Sequence, residues 1–185
     1  QNERYRDAEA AFQKAIGLDS SNALIYNALA TVYVNQQEYQ KALVTCENGI
    51  NKGPGSADLY YTLGLVRFQL GKYDDAEQAL AKALALRDAY ADAHLWMGNT
   101  YLVQSRVSGA DGGAFDQARL ADAVAQFRKA VASDSEVPEY HAALGEALYD
   151  QRELDPARAE YEAAAALDPK NAAYWVAIGK IYDQL

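Results

Sequence analysis

The stretch ALIYNALATVYVNQQEYQKALVTCENGINK, residues 23–52, decides the fold. In its first half Tyr26, Leu29, Ala30 and Tyr33 recur at three- and four-residue spacing, and in its second half Ala42, Cys46 and Gly49 do the same. That spacing lines apolar side chains along one face of a helix. Two amphipathic helices joined across the polar Asn35-Gln36-Gln37 make a hairpin, and neither helix can bury its stripe alone.

The pattern returns along the whole chain. Its first phrase reappears as Tyr60-x2-Leu63-Gly64, Met97-Gly98-x2-Tyr101, Leu144-Gly145 and Trp175-x2-Ile178-Gly179-x2-Tyr182. Its second phrase reappears as Ala8-x3-Phe12-x2-Ala15, Ala76-x3-Leu80-x2-Ala83, Ala123-x3-Phe127-x2-Ala130 and Ala157-x3-Tyr161-x2-Ala164. A closing residue follows each second phrase: Ser20, Pro54, Asp88, Ser135 and Pro169. Successive units lie about 34 residues apart.

The residue choices have a physical logic. Glycine inside a helix costs about 1 kcal/mol relative to alanine, so Gly64, Gly98, Gly145 and Gly179 at one register call for close helix approach. Ala8, Ala42, Ala76, Ala123 and Ala157 are the small residues of the second helices, and Phe12, Phe127, Tyr161 and Tyr5, Tyr39 and Tyr73 are expected to fill the gaps as core. The prolines suit helix boundaries: Pro54 and Pro169 between units, Pro138 at a helix start, and Pro156 behind Asp155 as N-cap. The expected helices cover 4–18, 23–36, 39–52, 57–70, 73–87, 91–105, 116–133, 138–151, 155–167 and 172–184.

These paired phrases resemble the tetratricopeptide repeat family over essentially the whole chain. The resemblance implies an all-α fold, an α-solenoid in which antiparallel helix pairs wind into a right-handed superhelix as a single array. Its expected parts are a truncated repeat at 1–22, full repeats at 23–56, 57–90, 91–137 and 138–171, and a lone first helix at 172–185. Opening on a second helix and closing on a first, the chain reads as a fragment of a longer repeat protein, or as one whose ends a partner copy covers.

The formal charge of −9 and pI near 4.7 argue against nucleic acid and anionic membrane surfaces, which need clustered Lys and Arg. Cys46 is the single cysteine, so it is expected to be a small buried side chain rather than half of a disulfide or part of a metal cluster. No run nears the ~18 apolar residues of a membrane span, and Gln1 to Arg6 lack the apolar core of a secretion signal. A soluble segment is expected, in the cytoplasm by preference and with the periplasm as the alternative. No HExxH, CxxC or GxSxG motif is present, and Gly112-Gly113 lacks the Lys-Ser/Thr of a phosphate loop. His94 and His141 share the slot of Tyr26, Tyr60 and Trp175, a packing position. The expectation is no enzyme, no cofactor and no metal.

In the family the first helices line a concave groove that holds a peptide or helix. Carried onto this chain, the candidate partner-binding residues are Asn27, Thr31, Asp58, Tyr61, Leu65, Phe68, Asp92, Leu95, Trp96, Asn99, Leu102, Glu139, Glu146 and Tyr149. Inward positions of the later repeats also include Ala142, Ala143, Asp150, Ala173, Val176, Ala177 and Lys180. The family's clamp for acidic chaperone tails is not reproduced, because its slots hold Asn27, Thr31, Thr62, Asp92 and Trp96. The asparagine ladder of the O-linked N-acetylglucosamine transferase superhelix is also missing, its slots reading Ala28, Thr62, Trp96, Ala143 and Ala177. What remains is an apolar run, Tyr61, Leu65, Phe68, Leu95, Trp96 and Leu102, beside the acids Asp58, Asp92, Glu139 and Glu146. Such a face suits a protein or peptide with apolar anchors and some basic residues; the competing reading is that these side chains pack the seam between helices. About thirteen extra residues interrupt the third full repeat, at about 104–119. From Ser105 to Gly113 they read as a loop, and Phe115 to Leu120 as a backward extension of the next helix, with Arg106 and Phe115 as candidate contacts. The functional reading is a scaffold or adaptor segment. The alternatives are self-assembly into homo-oligomers through open solenoid ends, and a regulatory arm of a larger enzyme.

Overall fold

The structure is a computed structural model that describes residues 2–108 and 115–185. Its helices are α1 (Asn2–Leu18), α2 (Ala23–Asn35), α3 (Tyr39–Lys52), α4 (Ala57–Gln69), α5 (Tyr73–Leu86), α6 (Ala91–Ser108), α7 (Gln117–Ser133), α8 (Pro138–Asp150), α9 (Leu154–Leu167) and α10 (Ala172–Tyr182). Consecutive helices pair as hairpins, α2 with α3, α4 with α5, α6 with α7 and α8 with α9. They gather into two compact units, Gln1–Asp88 and Ala89–Leu185.

Polar side chains start the helices where the sequence supplies them. Asn22, Ser56, Asp116 and Asn171 each accept a hydrogen bond from a first-turn backbone N–H. The turns inside the hairpins repeat one device. Gln37, Gly71 and Arg152 take positive φ of 60°, 73° and 67°, and the next residue's N–H reaches back to Tyr33, Arg67 and Leu148 carbonyls at 2.8, 2.9 and 2.9 Å. This is the six-to-one closure that ends a helix in a left-handed residue. Gly71→Ala is therefore expected to lower stability by about 1 kcal/mol, read as a shift in denaturation midpoint, because a Cβ is disfavoured at that φ.

The insertion stands where the third full repeat would make this turn. It lengthens both helices beside it: α6 has 18 residues against 13 in α2, α4 and α8, and α7 has 17 against 14 in α3, α5 and α9. The loop expected from Ser105 onward is thus corrected, since Ser105 is buried inside α6 with its hydroxyl donating to the Leu102 carbonyl at 2.7 Å. Phe115 does not extend α7, because the Asp116 carboxylate caps that helix by accepting from the Ala118 and Arg119 N–H groups. The rest of the expected loop, Gly109 to Gly113 with the Gly112-Gly113 pair, lies outside the described residues. A second correction concerns α9, which begins at Leu154 behind Glu153, so Asp155 and Pro156 sit within its first turn rather than at its cap. Proline is tolerated there because first-turn N–H groups make no bond within the helix.

Each unit has its own core. In the first, Tyr26, Leu29, Tyr33, Leu43, Leu59, Leu63 and Val66 are buried together with Cys46. Burial pushes the Cys46 thiol up to about 12, which leaves it protonated and unreactive. In the second, Leu102, Leu120, Val124, Phe127, Leu144, Leu148 and Ile181 form the cluster. The first-helix glycines sit where expected. A Cβ on Gly64 would lie 2.6 Å from Leu80, on Gly98 2.5 Å from Phe127, and on Gly145 3.0 Å from Tyr161. Gly179 differs: among the described residues nothing lies within 4 Å of where its Cβ would stand.

The shared slot of Tyr26, His141 and Trp175 has a polar side that spacing did not reveal. The Tyr26 hydroxyl donates to the Ser20 carbonyl at 3.1 Å, and Trp175 Nε1 donates to the Pro169 carbonyl at 3.3 Å. His141 Nε2 lies 3.1 Å from the Ser135 carbonyl, and its Nδ1 lies 2.7 Å from Glu160. In each case the partner is the closing residue six positions earlier. His94 is buried, with Nδ1 2.8 Å from Gln126 Oε1.

Candidate protein-interaction cleft

In the first unit the inward positions of α2 and α4 are largely committed to partners within the unit. Asn27 Oδ1 accepts from the Thr62 hydroxyl at 2.7 Å, and the Thr31 hydroxyl turns back to the Asn27 carbonyl at 2.9 Å. Leu65 packs on the core, and the half-buried Phe68 meets Tyr73 edge-on at 5.4 Å between centroids. Tyr61 is half-buried. Asp58 accepts two hydrogen bonds from the Arg87 guanidinium, both 2.9 Å, so this acid already has its cation.

In the second unit small residues open a hollow. Ala142 and Ala143 on α8 and Ala173 and Ala177 on α10 leave room between the first helices, and the Tyr161 ring from α9 lines the space, packed against Gly145. Two adjoining hollows result. One, of about 470 Å³, is lined by Glu146, Tyr149, Asp150, Tyr161, Ala173, Val176, Ala177 and Lys180. The other, of about 400 Å³, adds Leu95, Asn99, Glu139, Ala142, Ala143 and Tyr174, and shares Glu146, Tyr161, Ala173 and Ala177 with the first. The structure thus brings the candidates Leu95, Asn99, Glu139, Glu146 and Tyr149 into one cleft.

Other candidates fall elsewhere. Leu102 is 4% exposed and belongs to the core, which corrects its place on the groove: the lengthened α7 lays Leu120 in the same cluster. Trp96 is half-buried and is not among the residues lining the cleft. Asp92 accepts from the Tyr140 hydroxyl at 2.6 Å. Tyr161, expected only as a gap filler, lines the cleft as well; its position opposite a first-helix glycine is the signal that could have shown it.

One cation stands between two carboxylates at the cleft's mouth. Arg106 Nη2 donates to Glu146 at 2.7 Å and to Asp150 at 2.8 Å, and the guanidinium lies 5.9 Å from the Phe115 ring, which packs on the second core. Burial works against the charged guanidinium, but the bonds to Glu146 and Asp150 outweigh it and raise its pKa. Burial, and then the charges of Glu146 and Asp150, push the Tyr161 phenol up to about 12. The Tyr149 hydroxyl accepts from Gln184 Nε2.

The first unit also has a hollow of about 290 Å³ between α3, α4 and α5, bordered by Tyr60, Arg67 and Lys82. Its cations are engaged: Arg67 bonds the Asp75 carbonyl at 3.2 Å and Glu47 at 3.4 Å, and Lys82 lies over the Tyr60 ring at 5.5 Å. Among the described residues, no three His, Cys, Asp or Glu side chains gather as they would around a metal ion. None of the described helices is long and apolar enough to cross a membrane.

Comparison with known proteins follows the repeats. A family model for the anaphase-promoting complex, cyclosome, subunit 3 matches residues 1–83, a TPR repeat model matches 64–105, and a tetratricopeptide repeat model matches 113–172. The general transcriptional corepressor trfA of Dictyostelium discoideum is 28% identical over 90 residues, 48% of this chain. The chain spans only 6% of that relative's length. The crystal structure of MamA superposes with a TM-score of 0.73 at 22% identity, covering 94% of each chain. YrrB, described as a TPR protein with an unusual peptide-binding site, gives a TM-score of 0.71 at 23% identity over 95% of this chain and 84% of its own. At these identities the likeness is one of fold. Two repeat models spanning more than half of the sequence agree with the alternating helices and the glycine-to-ring packing, and the chain belongs to the tetratricopeptide repeat family.

Proposed function

We propose that this chain is a non-catalytic scaffold segment that holds a peptide or helix of a partner protein in the cleft of its second unit. The observation that carries the reading is the cleft itself, an alanine-floored hollow with Leu95, Val176 and tyrosine walls and Glu139, Glu146 and Lys180 around it. Concave sites with apolar walls and a few placed polar groups are what peptide side chains dock into. The YrrB description supports the same use of this fold.

The test is a selection of random twelve-residue peptides on the intact chain, followed by titration of the selected peptides against Ala173→Arg. Ala173 is exposed and lines both hollows, so the arginine blocks the cleft without entering the core. Peptides with apolar anchors should bind and weaken at least tenfold on Ala173→Arg, while Phe68→Ala in the first unit leaves them unchanged. Equal binding to Ala173→Arg overturns the proposal.

One observation favours self-assembly as a second reading: α10 exposes Trp175, Val176 and Tyr182 by 55%, 56% and 57%. A mass that rises with concentration in sedimentation, and returns to the monomer with Trp175→Ser and Tyr182→Ser, would establish it.

A further inference from the structure

Arg106 exists on a helix only because of the insertion. It lies in the last turn of α6, beyond the thirteen-residue length at which α2, α4 and α8 stop. From there it spans to α8, where Glu146 and Asp150 stand one turn apart and line the cleft. Like charges at that spacing repel, and the Asp150 side chain is only 13% exposed, so water does little to screen it. The pair therefore needs a cation. Lys180 lines the same hollow, yet the bonds go to a guanidinium.

The fit is partial. Both bonds come from the single atom Nη2, whereas a guanidinium offers five N–H donors in a planar fork suited to carboxylates. An arginine arriving from solvent could place two nitrogens on the pair and lay its aliphatic stem along the Tyr149 and Tyr161 walls. We propose that Glu146 and Asp150 form an arginine-binding site at the mouth of the cleft, which Arg106 occupies until an arginine of the bound segment displaces it. The insertion then acts as a competitor carried in the same chain, admitting segments that pair an arginine with an apolar anchor. This deepens the cleft reading and rests on it for its biological use, though the site itself does not require a partner protein.

The experiment uses N-acetyl-arginine amide as probe and follows thermal unfolding by circular dichroism. Wild type, Arg106→Gln and Arg106→Gln with Glu146→Gln and Asp150→Asn are compared at 100 mM probe, against N-acetyl-lysine amide and sodium chloride at equal ionic strength. Arginine amide should raise the midpoint of Arg106→Gln by about 2–4 °C above the lysine and salt controls. Wild type should shift less, and the triple variant should not respond selectively. If Arg106→Gln fails to fold, Arg106→Lys keeps a charge with a weaker hold and should show the same selective response. An equal response to all three solutes, or a wild-type shift as large as the variant's, overturns the proposal. Because this probe needs no partner segment, failure here leaves the cleft reading intact, and failure of the peptide selection leaves the carboxylate site intact.

Discussion

Phe127→Ala should lower the stability of the second unit by about 3–5 kcal/mol, the range for removing a buried aromatic ring. Phe127 is 0% exposed and is the largest of the fully buried side chains. Its ring fills the space that a side chain at Gly98 would need, and it joins Leu102, Leu120, Val124 and Leu144 in one cluster. Truncation leaves a cavity that α6 can close only by moving as a whole, since its small residue is already a glycine. Both tryptophans, Trp96 and Trp175, lie in this unit, so guanidinium unfolding followed by tryptophan fluorescence reads it selectively. Phe127→Leu should recover much of the loss. A cost below about 1 kcal/mol would show that the unit repacks freely around this position.

The second large effect is a contrast between two glycines of identical register. Gly98→Ala adds a methyl group 2.5 Å from the Phe127 ring, which has no exposed side toward which to yield. Overpacking of this kind costs about 1–3 kcal/mol, more than the ~1 kcal/mol that alanine gains over glycine inside a helix. Gly179→Ala meets nothing within 4 Å, so only the helical gain remains and stability should rise by up to about 1 kcal/mol. The same fluorescence titration measures both. Combining Gly98→Ala with Phe127→Leu should cost less than the two changes summed, because the smaller side chain vacates the contested space. Equal signs for Gly98→Ala and Gly179→Ala would remove close packing as the reason for the repeated glycine.

Sequence carried the fold because the repeats restate one instruction: a small residue on the first helix, in all but the Cys46 repeat a large one on the second, and a closing residue after it. The inward positions of the later repeats came from the family resemblance, and Glu146, Ala173 and Val176 among them line the hollows of the second unit. Charge did not follow. Asp58 and Glu146 read as free acids of a groove, but their cations are 29 and 40 residues away in the chain, at the end of α5 and at the edge of an insertion. The first pairing closes one hairpin end to end and the second crosses between two hairpins, and the apolar spacing within a helix encodes neither. Leu102 was misplaced for a related reason: by register it matches the half-buried Phe68, but the insertion lengthens α7 and covers it.

The ties from Tyr26, His141 and Trp175 to the closing residue bear on how such a chain tolerates change. Their contact is a backbone carbonyl, supplied equally by Ser20, Ser135 and Pro169. A main-chain acceptor survives any substitution of the residue that carries it, and phenol, imidazole and indole all present a proton at comparable reach. Drift at either position is thereby buffered: repeats can diverge in side chain at both ends of this link while the link persists, so neighbouring hairpins stay in register when little sequence identity between them is left.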